Sequence, residues 1–210
     1  MTTIYLVRHG HSLGNKYNLF IGQGNLDLTE NGYSQAKLTA KYLSNFNVDE
    51  IYSSDLDRAY HTALELANLK RLTVNKDKRL REIFAGEWEG KSFDDIKVTY
   101  PDDYKPWAFD IGNACCTNGE RYADVQSRMV KAITEIALNN DGKSVAIFSH
   151  ATSIHTFCSF VMGLDLNNAN KISFVGNASV TTITFDNGKF EMKNYGYDEF
   201  MGEMKTKLEF

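Results

Sequence analysis

The chain has 210 residues, the length of one ordinary domain, and can bury a sizeable core without a disulfide or a metal staple. Hydrophobic residues make up 42% and charged residues 24% of it, a globular composition that excludes disordered and fibrous classes. The 23 basic and 27 acidic residues give a formal net charge of -4, which argues against nucleic acid as a partner.

Two further features concern the cellular setting. No run of 18 or more apolar residues occurs, and Arg8 and His9 interrupt the first apolar stretch. We therefore expect neither a signal peptide nor a membrane span, and we expect a cytoplasmic protein. Cys115, Cys116 and Cys158 lack C-x-x-C spacing, so we expect reduced thiols rather than disulfides or a zinc site.

Strands alternate with amphipathic helices along most of the chain. Short apolar runs such as Ile4 to Val7 predict strands, and apolar residues at helical spacing predict the helices between them. The predicted order is strand 3–8, helix about 29–44, strand 50–53, helix about 57–68, strand 73–76, an irregular segment to about 120, helix 121–139, strand 144–148 and helix about 152–163. This alternation favours a largely parallel sheet.

The last part of the chain changes character. Val180 to Phe185 and Lys189 to Tyr195 flank the turn signal Asp186-Asn187-Gly188, which predicts a final hairpin. Residues 91 to about 118 contain both prolines and many aromatics, and we expect them to form a cap inserted into the core. The fold predicted is an α/β three-layer sandwich, with a mostly parallel central sheet, helices on both faces and one domain over residues 1–210.

Polar side chains follow each predicted strand. The first strand leads to Arg8-His9, the second to a helix that begins near Arg58, the third to Glu82 and the fourth to His150. Because the carboxyl ends of parallel strands meet at one edge, we expect these groups to share a site.

This set of residues suits phosphoryl transfer. Arginine donates in a planar fork that matches phosphate oxygens, and an imidazole nitrogen can attack phosphorus to form a phosphohistidine. A carboxylic acid beside it can protonate the departing oxygen. Arginines and imidazoles supply the charge stabilisation that magnesium supplies elsewhere, so we expect no metal and no cofactor.

Several motifs in order resemble those of the histidine phosphatase superfamily, in its phosphoglycerate-mutase-like family. The motifs are Leu6-Val7-Arg8-His9-Gly10 with Asn15, Leu28-Thr29-Glu30-Asn31-Gly32, Ser53 to Ala59 with Thr62-Ala63, Leu80-Arg81-Glu82 with Gly86 to Gly90, Gly119-Glu120, and Ser149-His150. The resemblance spans nearly the whole chain.

The resemblance implies a role for each matching residue. His9 would become phosphorylated, Arg8 and Arg58 would clamp the phosphoryl group, and His150 would donate to it. Glu82 would be the proton donor and later the base. Further phosphate contacts would come from Asn15 and from the backbone at Ala151.

Three positions depart from the family pattern. The glycine usual after the second histidine is Ala151, and we expect its methyl group to be tolerated. Ile21 replaces a polar phosphate contact, which is either absent or supplied by Gln23. Arg121 replaces a serine, and either binds a second acidic group of the substrate or faces solvent.

Other candidates receive structural interpretations. The His9-x-His11 pair has no third metal ligand at sensible spacing, and Arg81 is interpreted as an ordinary solvated charge. The aromatic residues around Trp107 are interpreted as core beneath the cap, with a substrate-facing wall as the alternative.

The cap decides between a phosphatase and a mutase. Residues 91–113 contain three lysines and five aspartates, a poor clamp for a bisphosphorylated intermediate. We therefore predict a metal-independent phosphomonoester hydrolase acting on a small phosphorylated metabolite. The alternatives are a phosphoglycerate mutase-type phosphotransferase and a phospho-ligand binding protein without turnover. The substrate's identity, the oligomeric state and any role of Cys115 and Cys116 stay open, with a homo-oligomer allowed.

Overall fold

The computed structural model describes residues 1–206, so the last four residues of the predicted 1–210 domain lie outside the described range. Six strands form one sheet: β1 (Thr2–Arg8), β2 (Glu50–Ser53), β3 (Val74–Lys76), β4 (Ser144–Ser149), β5 (Val180–Asp186) and β6 (Lys189–Tyr197). Their spatial order is β3-β2-β4-β1-β5-β6. The first four strands run parallel, β5 is antiparallel to β1, and β6 is antiparallel to β5.

Helices occupy most of the connections between strands. The α-helices are α1 (Leu13–Lys16), α2 (Glu30–Leu43), α3 (Asp57–Lys70), α4 (Phe93–Thr99), α5 (Pro101–Phe109), α6 (Tyr122–Asn139) and α7 (Ala151–Val161). Short 3-10 turns cover Lys78–Leu80, Gly86–Trp88, Ile111–Asn113, Leu166–Lys171 and Glu199–Met204. No helix within residues 1–206 combines the length and the apolar character needed to cross a membrane.

The sheet separates two cores because successive side chains of a strand point to opposite faces. On β1, Ile4 and Leu6 pack into a core with residues of α6 and α7. Tyr5 and Val7 pack into a second core with residues of α2 and α3. The three-layer α/β prediction is confirmed, and burial on both faces explains why the central strands are uniformly apolar.

The register of the central strands positions the site. Arg8 at the end of β1 pairs with Ser149 at the end of β4, and the backbone N–H of His9 donates to the carbonyl of Ser149 at 3.0 Å. His9 and His150 therefore leave the sheet side by side. Their ring centroids are 5.2 Å apart.

The predicted hairpin is present. β5 ends at Asp186 and β6 begins at Lys189, with Asn187 (φ 48°) and Gly188 (φ 78°) in the turn. Positive φ at both central positions is what a two-residue turn between twisted strands requires.

The prediction of an irregular segment up to about residue 120 is wrong, because α4 and α5 lie inside it. Ser92 caps α4 by accepting the N–H of Asp95, and Pro101 opens α5. Helices this short display too few apolar repeats to stand out in a sequence. Packing stabilises them instead: Phe20 contacts Phe93 and Trp107 edge to face.

Candidate active site

His9 follows β1 and is buried with its ring orientation fixed. Its Nδ1 lies 2.7 Å from the carbonyl oxygen of Gly10. A carbonyl only accepts, so Nδ1 carries the proton and Nε2 keeps a lone pair. Burial, and then the charges of Arg58 and Arg8, hold the pKa of His9 well below its ordinary value. His9 is therefore a neutral imidazole at pH 7 with Nε2 available as a nucleophile.

Gly10 allows this strand end to approach α2. A Cβ on Gly10 would lie 2.5 Å from the carbonyl oxygen of Gly32, closer than side chains pack. The N–H of Gly10 donates to the hydroxyl of Thr62 on α3 at 3.0 Å. The turn after His9 is thus fixed from two helices.

Two buried guanidinium groups flank His9. Arg8 donates to the carbonyl of Val175 at 2.6 Å, and Arg58 donates to the carbonyls of Gly22 and Gly24 at 2.7 and 2.8 Å. Burial lowers the pKa of each arginine to about 10, opposed by the attraction of Glu82, so both remain charged at pH 7.

These two arginines lack the partners that buried charges usually have. Within residues 1–206 neither forms an ion pair with a carboxylate, and Nε of Arg8 has no hydrogen-bond partner. Two buried positive charges held by neutral carbonyls favour an anion between them.

His150 precedes α7 and is fully buried. Its Nε2 lies 2.8 Å from the hydroxyl of Ser54, which follows β2. Burial, and then the charges of Arg58, His9 and other neighbours, hold the pKa of His150 well below its ordinary value, so this ring is also neutral at pH 7.

Glu82 lies at the N-terminus of α7. Its Oε2 accepts the N–H of Thr152 at 3.0 Å, and its Oε1 accepts the N–H groups of Ile83 at 2.9 Å and Ser153 at 3.2 Å. The first turn of α7 thus ties Glu82 to the helix that begins directly after His150. This arrangement places the only predicted acid of the site beside the predicted phosphoryl pocket.

An arginine that sequence analysis did not identify braces the Glu82 segment. Arg128 on α6 donates to the carbonyls of Arg79, Arg81 and Glu82 at 2.9, 2.6 and 3.0 Å. Glu120 accepts from this guanidinium at 2.9 Å and from the N–H of Phe84 at 2.7 Å. The motif Gly119-Glu120 was a signal for this brace, but no local pattern indicated Arg128.

The interpretation of Arg81 as a solvated charge is wrong. Its guanidinium makes two hydrogen bonds of 2.6 Å to the carboxylate of Asp55, in the loop between β2 and α3. Gln23 links the same region, since its amide donates to the carbonyl of Glu82 at 3.2 Å and accepts from Arg81 at 3.3 Å. Arg81 therefore connects the segments that contain Arg58 and Glu82.

Asn15 lies beside His9 and is oriented by its neighbours. Its Oδ1 accepts from the N–H and hydroxyl of Ser12 and from the amide of Asn177, each at 3.0 to 3.1 Å. Asn177, which the sequence analysis did not identify, also donates to the carbonyl of His9 at 3.1 Å. Nδ2 of Asn15 takes no part in these contacts.

Two candidate specificity residues make contacts of a different kind. Trp107 packs edge to face on Phe20 and Trp88, at centroid distances of 4.9 and 5.8 Å. Arg121 is 67% exposed and pairs with Asp124 at 2.7 Å at the start of α6. The structure thus brings His9, Arg8, Arg58, Glu82, His150, Asn15, Gln23 and the backbone of Ala151 into one region, whereas Trp107 contacts aromatic side chains and Arg121 contacts Asp124.

No group of three or more histidine, cysteine or acidic side chains within residues 1–206 is arranged to hold a metal ion. His11 instead contacts the hydroxyl of Thr29 through Nδ1 at 3.0 Å.

Several known proteins are similar to this chain in sequence and fold. Phosphoserine phosphatase 1 of Hydrogenobacter thermophilus is 35% identical over 167 residues, covering 80% of this chain and 79% of that protein. The structure of Bacillus stearothermophilus YhfR superposes with a TM-score of 0.92 at 30% identity and covers 96% of this chain and 100% of that one.

A second solved structure has the same fold. A mycobacterial glucosyl-3-phosphoglycerate phosphatase in complex with VO3 has a TM-score of 0.86 at 27% identity, covering 93% of this chain and 99% of that one. The family model of the histidine phosphatase superfamily (branch 1) matches residues 4–198. The chain therefore belongs to branch 1 of the histidine phosphatase superfamily.

Proposed function

We propose that this phosphatase hydrolyses small phosphomonoesters, without a metal ion, through a phosphohistidine on His9. The main support is the pair of buried, charged arginines close to a neutral imidazole, neither of which has a carboxylate partner within residues 1–206. A phosphoryl dianion supplies the negative charge that Arg8 and Arg58 lack, and it brings phosphorus to the nucleophile.

The reaction has two steps. Nε2 of His9 attacks phosphorus, the bond from phosphorus to the ester oxygen breaks, and protonated Glu82 donates a proton to the leaving alcohol. Water then attacks the phosphohistidine while the Glu82 carboxylate takes its proton, which releases inorganic phosphate and restores His9. Arg8, Arg58, His150 and Asn15 hold the phosphoryl oxygens in both steps, together with the backbone N–H of Ala151.

The cap favours a leaving group without additional phosphates. Residues 91–113 have a net charge of -2, from Lys91, Lys97 and Lys105 against Asp94, Asp95, Asp102, Asp103 and Asp110. An acidic cap repels a second phosphate and tolerates a neutral, cationic or partly apolar alcohol. The phosphorylated amino acid in the name of the Hydrogenobacter relative fits this class of substrate.

The test is a phosphorus NMR time course in EDTA. One sample contains an aryl phosphate, a second contains phosphoserine, and a third contains 3-phosphoglycerate with a trace of 2,3-bisphosphoglycerate. We expect inorganic phosphate from the first two, no release with His9→Ala, and unchanged release with the control His61→Gln, because His61 is bound to Asp27 away from the site. An alkaline quench is expected to trap phosphohistidine in the wild type.

Three other results would contradict the proposal. Rapid formation of 2-phosphoglycerate would make the protein a mutase. Hydrolysis that persists in His9→Ala would remove His9 as the nucleophile. Phosphate binding without any turnover would indicate a non-catalytic binding protein.

A further inference from the structure

The two ring nitrogens of His150 have different surroundings. Nε2 lies 2.8 Å from the hydroxyl oxygen of Ser54, and Nδ1 has no hydrogen-bond partner within residues 1–206. Both residues are fully buried. A neutral imidazole carries one ring proton, so the direction of the contact with Ser54 decides which nitrogen bears it.

The contacts of the Ser54 hydroxyl indicate which of the two groups donates. The N–H of Leu56 donates to the Ser54 hydroxyl oxygen at 3.3 Å, which uses one acceptor position of the oxygen and holds the side chain within its turn. The hydroxyl proton then has one acceptor within the described residues, Nε2 of His150. The reverse direction would leave two buried groups without a partner within residues 1–206, the hydroxyl proton and the Nδ1 lone pair, whereas this direction leaves only Nδ1–H.

The direction of this hydrogen bond decides which ring nitrogen of His150 carries the proton. Since Nε2 accepts from Ser54, the proton of neutral His150 resides on Nδ1. Nδ1 is the ring nitrogen nearer the backbone, and the next backbone group is the N–H of Ala151, in the first turn of α7. The following two N–H groups, of Thr152 and Ser153, donate to Glu82. Nδ1–H and the N–H of Ala151 are thus donors on consecutive residues at the N-terminus of α7, where an anion is favoured.

We propose that Ser54 is a positioning residue that fixes His150 as the Nδ1–H tautomer, so that the ring donates a hydrogen bond to the phosphoryl group. The opposite tautomer would present a lone pair to the same anion and repel it. The role of the ring as donor rests on the proposed function, whereas the tautomer itself does not. Ser54 acts through His150 and does not touch the substrate.

The first experiment observes the tautomer directly. Long-range proton–nitrogen NMR of the histidine-labelled protein at pH 7.5 distinguishes a protonated from an unprotonated ring nitrogen, and His150→Gln assigns the signals. We expect Nδ1 of His150 to be protonated and Nε2 unprotonated in the wild type, with a mixed or reversed tautomer in Ser54→Ala. A wild-type Nε2–H tautomer, or an unchanged tautomer in Ser54→Ala, would overturn the proposal.

The second experiment connects the tautomer to phosphate binding and turnover. We expect Ser54→Ala to lower kcat/KM and weaken inhibition by inorganic phosphate by about 10- to 100-fold, the effect of losing a hydrogen bond to a charged group. Ser54→Thr keeps the hydroxyl and is expected to restore the tautomer and most of the activity. The matched control is Ser53→Ala, which removes a buried hydroxyl that, within residues 1–206, donates only to the carbonyl of Ser54, at 2.8 Å. A Ser53→Ala variant with the same losses would show that loop packing, not the tautomer, causes them.

These two experiments separate the failure of each proposal. The NMR measurement needs no catalysis, so an inactive wild type with the Nδ1–H tautomer would contradict the proposed function and leave the assignment of Ser54 intact. An active wild type with the Nε2–H tautomer would contradict the assignment of Ser54 and leave the proposed function intact.

Discussion

The side chains of the site owe their chemistry to burial. Arg8 and Arg58 keep their charge because a pKa of about 10 leaves about one molecule in a thousand neutral at pH 7. Burial also lowers the pKa of His9, and this ring does lose its charge, because its ordinary pKa is much lower and two guanidinium groups lie near it. One environment thus yields two charged guanidinium groups and a neutral imidazole.

Glu82→Gln tests the proton donor. We expect kcat/KM to fall by about 100- to 10,000-fold for alkyl phosphates, whose alcohols need a proton, and to change little for dinitrophenyl phosphate. Steady-state kinetics across a series of leaving groups measures this effect. We expect kcat/KM of Glu82→Gln to depend more steeply on the pKa of the alcohol than kcat/KM of the wild type does. Glu87→Gln, an exposed carboxylate five residues away, is the control. An equal loss for every leaving group would assign Glu82 a purely structural role.

At the scale of elements, the loop of residues 22–24 is held between a cation and an anion. Its carbonyls at Gly22 and Gly24 accept from Arg58, while its three N–H groups donate to the carboxylate of Glu89, each at 3.1 Å. A Cβ on Gly22 would lie 2.4 Å from the carbonyl of Ile83, so the loop needs glycine there. This glycine-containing loop wraps a carboxylate rather than a phosphate, and through it Glu89 orients Arg58.

Glu89→Ala tests this arrangement. Three N–H groups lose their acceptor and Arg58 loses its fixed position, so we expect the KM for substrate and the inhibition constant of inorganic phosphate each to rise by about 10-fold or more. Initial-rate kinetics with phosphate as the inhibitor measures both constants, and Glu87→Ala is the matched control. Unchanged phosphate affinity in a folded Glu89→Ala protein would show that Arg58 does not depend on the loop.

Across the whole molecule, three buried histidines are neutral in the folded state. His9, His150 and His155 all have pKa values below the ordinary one, mainly because of burial. His155 lies away from the site, where Nε2–H donates to the carbonyl of Ile172 at 3.0 Å and Nδ1 accepts from Tyr122 at 2.9 Å. The fold therefore excludes protons that the unfolded chain would bind.

This exclusion predicts how stability depends on pH. An unfolded histidine takes up a proton near pH 6.5, while the buried one stays neutral to lower pH, so acid favours the unfolded chain. The stability contributed by these groups is complete above pH 6.5 and is lost as pH falls below it towards the lowered pKa values of the folded state. Thermal unfolding at pH 7.5 and 5.5 measures the loss, and we expect a smaller one in His9→Gln. An identical loss in wild type and His9→Gln would contradict the assignment of His9.

The sequence determined the layers and the identity of the central residues. Apolar runs that end at Arg8-His9 and at Ser149-His150 require central strands whose polar ends lie together, because parallel strands share one carboxyl edge. The helix after β2 likewise places Arg58 at that edge. A sequence predicts such features because backbone geometry alone decides where a strand ends and which residues follow it.

Only the tertiary structure decided the hydrogen-bond partners of these residues. Arg128 is 46 residues from Glu82, whose carbonyl it binds, and Ser54 is 96 residues from His150. The wrong interpretation of Arg81 has the same origin, since its partner Asp55 lies 26 residues away. A local sequence pattern fixes backbone conformation and which face is buried, but which distant segment then meets a polar group is settled only when the layers pack together.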